Sequence, residues 1–239
     1  MPGNMDEDIG ALHEGPKFLA NHLLARKKIR AQFKPDAKRL LDAHLIVTSV
    51  VASLVNGKSA VPGKTSKSLE GRLLLSATFV QGIEICETSI AEGLYVQAGA
   101  LLRQELETLA AIREIQAGMR INSKTPNVKH LPLKLAALYG ELSAAAHVAD
   151  ESMLDELIGE QINSSTAGAS VVPRYHSHAA LKLYSIHIVL VLLLALEIIG
   201  VLNELYDEKA STLHTRMLSG AIDILREGGW LLDKAPPSP

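Results

Sequence analysis

The sequence predicts an all-α fold, a multi-helix up-and-down bundle with a long buried helix near the C-terminus. Leu and Ala dominate an apolar content of 47%, whereas aromatic residues make up only 4%. This composition favours helices packed on helices. Apolar residues also recur at helical spacing along most of the chain, without a convincing pair of strands. The 239 residues are enough to bury a full hydrophobic core.

The predicted N-terminal region, residues 1–35, joins an acidic tail to a basic helix over 16–33. Pro16 suits the first turn of a helix, where its missing N–H is not needed. Pro35 is expected to end the helix, and Asp36 is expected to cap the next one. Between Lys17 and Arg39, eight basic residues stand against one acid, Asp36, although the whole chain has a net charge of −2. The eight are Lys17, Arg26, Lys27, Lys28, Arg30, Lys34, Lys38 and Arg39.

This basic run has two interpretations. A solvated helix face is the simpler one, because charged residues are usually exposed. The other is a contact surface for an RNA backbone or a protein partner such as a second copy of the chain. The candidates for binding nucleic acid are Arg26, Lys27, Lys28 and Arg30.

The bundle core is predicted over residues 36–206. Its first helix, 36–55, contains LIVTSVV, which would also fit a buried strand, but no partner strand is evident. In the following loop, Gly57 and Gly63-Lys64-Thr65 approach a phosphate-binding motif. The spacing is five residues rather than four and the strand–loop–helix context is missing, so no nucleotide site is predicted. A helix over 68–91 comes next.

Two helices, residues 95–115 and 131–150, carry polar side chains on a face away from their leucines. Arg103 and Glu107 lie one turn apart on the first. On the second, small residues at helical spacing predict a close contact with a neighbouring helix. We therefore expect a four-residue polar group to meet across one helix contact, made of Arg103, Glu107, Ser143 and His147.

The C-terminal third is predicted to contain a short helix over 152–162, a flexible connector over 163–173 and a long helix over 177–206. Seventeen residues of the long helix, 186–202, are apolar enough to suggest a membrane span. His187 and Glu197 lie within them, so we predict the buried helix of a soluble, cytoplasmic protein. Residues 207–239 form a last helix, which Ser211 is expected to cap, and a Pro-rich tail.

Neither a metal nor a cofactor is expected. Di-iron bundles need Glu-x-x-His pairs on two helices, and this pair does not occur in the sequence. His176 and His178 are one residue apart and therefore cannot share a helix face. Cys86 is the only cysteine, so no disulfide can form within one chain.

The segments LLRQELE, with Arg103 and Glu107, and LYGELSAAAH, with Ser143 and His147, resemble a bacterial all-α domain of unknown function related to the HEPN superfamily. In that domain an Arg-x-x-x-Glu helix precedes a Leu-Ser-x-x-x-His helix. The resemblance covers residues 68–150. It implies a four- or five-helix bundle, usually a dimer. Many members of the superfamily are metal-independent ribonucleases of toxin–antitoxin and antiphage defence systems.

The nuclease signature of that superfamily is an arginine followed, after four to six residues, by a histidine. Only Arg39 and His44 match this spacing here. Leu40 follows the arginine, where the superfamily usually has a polar residue. The alternative catalytic pair, Arg39 and His44, therefore departs from the pattern.

Two functions stand as alternatives. The first is a non-catalytic helical protein that binds a ligand or partner and dimerises through its long apolar helix, because packing and capping explain its polar residues. The second is a HEPN-like ribonuclease effector. In metal-free RNA cleavage a histidine takes the 2′-OH proton and an arginine stabilises the developing charge. Arg103 with His147, or Arg39 with His44, would take these roles, and the basic helix would hold the RNA.

Overall fold

The chain folds into an all-α multi-helix bundle, as the sequence predicts. The computed structural model describes residues 5–56, 66–133, 135–146, 151–163, 166–206 and 211–231. The α-helices in these residues are α1 Met5–Asp36, α2 Lys38–Val55, α3 Lys67–Ala91, α4 Tyr95–Gln116, α5 Leu138–Ala146, α6 Glu151–Ile158, α7 Ser177–Tyr206 and α8 Thr212–Glu227. Short 3-10 helices, Val128–His130 and Leu135–Ala137, precede α5. Two antiparallel strands, β1 Gly159–Asn163 and β2 Thr166–Ala169, follow α6.

Helix α7 is the centre of the bundle. It packs against α2, α3 and α4, and α8 packs against α2. Ile188, Leu190 and Leu194 are fully buried. A helix that is apolar around its whole circumference has to be covered on all sides, and here its own chain covers it. Leu218 and Leu225 of α8 belong to the same core, so the last helix is part of the bundle.

Two of the described helices, α3 and α7, are long and apolar enough to cross a membrane by length and composition. In the most apolar window of α7, 83% of the residues are buried within the chain. The corresponding share in α3 is 28%. Burial of this extent in α7 is typical of the core helix of a soluble protein and agrees with the prediction that this helix is buried.

Helix α1 differs from the prediction at both ends. It begins at Met5 and so includes the acidic tail and Pro16, which was expected in the first turn of the helix. At the other end the helix extends past Pro35 to Asp36. Asp36 does not cap α2, because the residue before α2 is Ala37, which makes no side-chain capping bond. Asp36 instead accepts hydrogen bonds from Tyr175 and Ser177 near the start of α7.

The predicted helices over 36–55, 68–91, 95–115 and 177–206 and the last helix are confirmed to within two residues at each end. The segment LIVTSVV is helical, and Val47, Val50 and Val51 are buried in the core. Ser211 caps α8 as expected, since its side chain accepts a hydrogen bond from the His214 N–H at 3.1 Å. The loop with the apparent phosphate-binding motif, residues 57–65, lies outside the described residues.

The segment before α5 and the segment after α6 depart from the prediction. The predicted helix over 131–150 begins later, because Leu133 has a φ of 60°, a left-handed conformation that a helix does not contain. The described part of that helix is α5, and residues 147–150 lie outside the described residues. The predicted helix over 152–162 ends early, at Ile158, and its last residues form most of strand β1. Strand β2 lies in the predicted connector over 163–173, and Gly159 pairs with Ala169. Among the described residues the two strands pair only with each other, so they leave the bundle architecture unchanged.

Candidate functional site

Three members of a polar network lie at the contact between α4 and α5. Arg103 Nε donates to Glu107 Oε1 at 2.9 Å, and Arg103 Nη2 donates to the Tyr139 hydroxyl at 3.2 Å. The Tyr139 hydroxyl in turn donates to Glu107 Oε1 at 2.9 Å. Arg103 also lies over the Tyr139 ring, 5.3 Å from its centroid. The predicted pair therefore meets a residue of α5 across the helix contact, but that residue is Tyr139.

Ser143 and His147 are the other two members of the four-residue polar group. Ser143 belongs to α5, and His147 follows the last residue of α5 in the sequence. Ser143 follows Tyr139 by four residues, which places both on one helix face. Its hydroxyl oxygen is buried and has no hydrogen-bond partner among the described residues. His147 lies outside the described residues. The meeting of all four side chains stays a prediction.

Arg39 and His44 are in different surroundings. Arg39 Nη2 bonds to Glu227 Oε2 at the end of α8, and half of its side chain is exposed. The His44 ring packs against Tyr184 and His187 in the core, with centroid distances of 5.3 Å. Burial, with a smaller contribution from His187, lowers the pKa of His44 to about 3. His44 is therefore a weak base at neutral pH, and its Nε2 is buried.

The basic side chains of α1 divide into two kinds. Arg26 bonds to Glu92, and Arg30 bonds to Glu87 and Glu92 at distances of 2.7 to 3.2 Å. These pairs attach α1 to α3 and offset two of the four charges proposed for nucleic-acid binding. Lys27 and Lys28 are exposed.

A buried polar cluster that the sequence analysis missed lies where α3, α4 and α7 meet. Its members are Cys86, Glu105 and His187, with 1%, 5% and 0% of their surface exposed. His187 Nδ1 is 3.0 Å from Glu105 Oε2, and one possible ligand atom from each residue lies within 4.8 Å of the others. The only sequence signals are a histidine and a cysteine at apolar positions of their helices. Nothing in the spacing predicts that the two meet.

Polar atoms of this cluster remain unpaired. Glu105 Oε1 and His187 Nε2 are buried and have no hydrogen-bond partner among the described residues. The same holds for the nearby Tyr184 hydroxyl and His44 Nε2. Burial, together with the neighbouring Glu105, raises the pKa of the Cys86 thiol far above its ordinary value. The thiol is therefore protonated and closed off from solvent, which does not suit a nucleophile.

A cavity suited to a small molecule has a volume of about 660 Å³. We call it the C-terminal cleft. It lies between the segment before α5, the first half of α7 and the turn after α8, and its lining includes Leu135, Leu138, His178, Lys182, Val189 and Trp230. Most of this lining is apolar, and none of the described lining residues is acidic. Ligand sites commonly have this size and a lining of this kind, with a few polar groups that set orientation.

Comparison of the chain with protein-family models, with curated proteins and with solved structures gave no match.

Proposed function

We propose that the protein is a non-catalytic helical binding protein, and that the C-terminal cleft holds an amphipathic small molecule with an anionic group. The cleft is the observation that carries the proposal. Its described lining offers hydrogen-bond donors from His178, Lys182 and Trp230 and no carboxylate. An apolar body with one acidic end matches a lining of this kind in both polarity and charge.

Lys182 is the side chain that would bind the acidic group. Its ammonium bonds to Glu141 at 2.7 Å, and the two side chains are 47% and 61% exposed. Exposed pairs of this kind contribute only about 0–1 kcal/mol, so a ligand carboxylate can replace Glu141 at small cost. Apolar contacts along Leu135, Leu138 and Val189 would supply most of the affinity.

Trp230 provides the measurement, because it is the only tryptophan of the chain and it lines the cleft. Decanoate is the probe and decanol its neutral analogue. We expect saturable changes in Trp230 fluorescence with decanoate. Lys182→Met should weaken decanoate binding by about tenfold, which corresponds to one lost charge-assisted hydrogen bond. The same variant should change decanol binding little.

The control is Lys17→Met, since Lys17 also forms an exposed salt bridge, with Glu14 at 2.8 Å on α1. This variant should bind decanoate like the wild type. If decanoate leaves the fluorescence unchanged, or if both lysine variants weaken binding equally, the proposed cleft ligand is wrong.

Metal-independent RNA cleavage, the HEPN-like alternative, is the second candidate. It is favoured by the partial exposure of Arg103 and Glu107, whose side chains are 21% and 26% exposed at the α4–α5 contact. An RNA phosphate would have to compete with Glu107 and Tyr139 for the guanidinium. The complete pairing of Glu107 Oε1 with both partners supports a role in structure or recognition instead.

Incubating single-stranded RNA with the purified protein in the presence of a chelator separates the two functions. The binding-protein proposal predicts no cleavage. Cleavage that is lost in both Arg103→Lys and His147→Ala, and kept in His214→Gln, would establish the ribonuclease and refute the non-catalytic function. His214 is the matched control because its ring bonds to Ser53 of α2, away from the α4–α5 contact.

We also propose that the protein is a cytoplasmic homodimer. The single cysteine is a free, buried thiol, which suits a reducing compartment. The predicted dimer contact through the long helix has little apolar surface available, because α7 is largely covered by its own chain. The described part of α1 has more exposed apolar surface. Four of its apolar side chains are 49–68% exposed, namely Phe18, Leu19, Leu23 and Leu24. We therefore place the contact between copies on α1.

A further inference from the structure

The core cluster of Cys86, Glu105 and His187 has the composition of a metal site. Thiolate, imidazole and carboxylate together are typical ligands of Zn²⁺, whereas Mg²⁺ and Ca²⁺ prefer oxygen ligands alone. One possible ligand atom of each residue lies within 4.8 Å of the other two. In a tetrahedral zinc site the ligand atoms are about 2.0–2.3 Å from the ion, so small side-chain shifts are enough to form one.

The unpaired atoms around the cluster point to a missing ligand. A buried polar group without a partner is costly, and proteins satisfy most such groups. Here Glu105 Oε1, His187 Nε2 and His44 Nε2 have no partner among the described residues, and His187 is 0% exposed. Unsatisfied atoms on three side chains that adjoin in one core, Glu105 with His187 and His187 with His44, are better explained by a bound species than by independent defects.

Charge balance also favours a divalent ion. A buried carboxylate needs a compensating charge. Binding of a divalent ion displaces the proton of a thiol ligand, so a Cys86 thiolate and the Glu105 carboxylate would together match the charge of the ion, with imidazoles as neutral ligands. The site as a whole is then neutral, which low-dielectric surroundings require.

The placement of the residues gives the ion a structural role. Cys86 is on α3, Glu105 on α4 and His187 on α7. The His44 ring, from α2, lies beside this three-residue group, with its centroid 5.3 Å from that of His187, and is the candidate for a fourth ligand. Glu105 also borders a small cavity of about 40 Å³ between α3 and α4, which places one end of the site near the surface.

We propose that the core holds one zinc-class transition-metal ion bound by Cys86, Glu105 and His187, with His44 as the fourth ligand, and that this ion joins four helices of the bundle. The site does not depend on the C-terminal cleft or on any ligand there. The metal has a structural role, because the thiol is buried and the cluster offers no room for a substrate.

The test uses the full-length protein, first stripped with a chelator and then titrated with Co²⁺. We expect one equivalent to bind, with the absorption bands of tetrahedral cobalt and of a cobalt–thiolate bond. Cys86→Ser should remove the thiolate band, and His187→Gln should weaken binding by at least about tenfold. His214→Gln is the control, because His214 bonds to Ser53 and lies outside the cluster.

A second measurement uses only the wild-type protein, so it tests the proposal even if the variants do not fold. Zinc added to stripped wild-type protein should raise the melting temperature, because a ligand that binds only the folded state stabilises it. The proposal is overturned if the wild-type protein shows no cobalt–thiolate band. It is also overturned if the band persists in Cys86→Ser, or if zinc leaves the melting temperature unchanged.

Discussion

At the scale of single residues, burial rather than sequence spacing decides what the polar side chains can do. Arg39 and His44 have the spacing of a nuclease pair, but His44 packs against Tyr184 and His187, and burial lowers its pKa to about 3. Cys86 would be a nucleophile only as a thiolate, and burial beside Glu105 raises its pKa instead. By contrast, Arg103 and Glu107 remain partly exposed and paired with each other.

The surroundings of Asp36 predict how the stability of the fold depends on pH. Its carboxylate accepts hydrogen bonds from the Tyr175 hydroxyl at 2.7 Å and from Ser177 Oγ at 3.0 Å, and these bonds lower the pKa of Asp36. A lowered pKa in the folded state means that this stabilisation is present above the ordinary carboxyl pKa. It is lost as the pH falls through the lowered value.

We expect Asp36→Asn to melt at a lower temperature than the wild type at pH 7. We also expect it to lose less melting temperature between pH 7 and about pH 3, because the titrating group is gone. Thermal melts across this range measure both effects. Asp42→Asn, at an exposed position on α2, is the control and should follow the wild-type curve. Identical pH dependence in all three proteins would contradict the role of Asp36.

At the scale of the elements, the α4–α5 contact depends on the absence of a side chain at one position. A Cβ added at Gly99 of α4 would be only 2.8 Å from the Cβ of Ala145 on α5. The sequence predicts a close contact from small residues on the later helix, and the structure adds the glycine that faces them. This contact sets the distance at which Tyr139 reaches Arg103 and Glu107.

A pair of glycine variants tests this contact. Gly99→Ala should lower the free energy of unfolding by about 1 kcal/mol, because overpacking costs about 1–3 kcal/mol and the gain in helix propensity of about 1 kcal/mol offsets part of it. Gly140→Ala is the control, since nothing lies within 4 Å of an added Cβ there. It should raise the free energy of unfolding by about 0.5–1 kcal/mol. Denaturant titration measures both, and a stabilising effect of Gly99→Ala would refute the close contact.

At the scale of the whole molecule, the bundle covers α7 and leaves α1 with exposed apolar side chains. Leu19 and Leu23 are 68% and 50% exposed on a helix that is held to the body near its other end by Ile29 and Phe33. Contiguous exposed apolar surface on a folded chain usually marks a contact with a partner. This arrangement is the physical basis for placing the dimer contact on α1.

We expect the wild-type protein to sediment as a dimer and the double variant Leu19→Glu with Leu23→Glu to sediment as a monomer. The reason is that unpaired carboxylates in a buried contact are costly. Leu74→Glu is the control, because Leu74 is 70% exposed near the start of α3, whereas α1 bonds to the end of α3. A monomeric wild-type protein, or a dimer that survives the double variant, would show that α1 is not the contact.

The sequence by itself determined the fold class and most helix positions, because helical periodicity and capping depend on residues within a few positions of each other. It predicted the ends of α4 and α7 to within one residue and identified Ser211 as the cap of α8. It misplaced both ends of α1 and did not predict the hairpin, whose pairing depends on a few small, polar residues with little signal of their own. Whether Ser143 and His147 complete the polar group stays a prediction.

Only the tertiary structure decided which faces meet. Glu105 and His187 are 82 positions apart along the chain, yet their side chains are 3.0 Å apart in the core. Periodicity shows which face of a helix is apolar, but not which neighbour covers that face or at what rotation. The proposed metal site and the C-terminal cleft both depend on such meetings between distant segments. Neither has a local pattern in the sequence, since their residues come together only when α7 packs among the other helices.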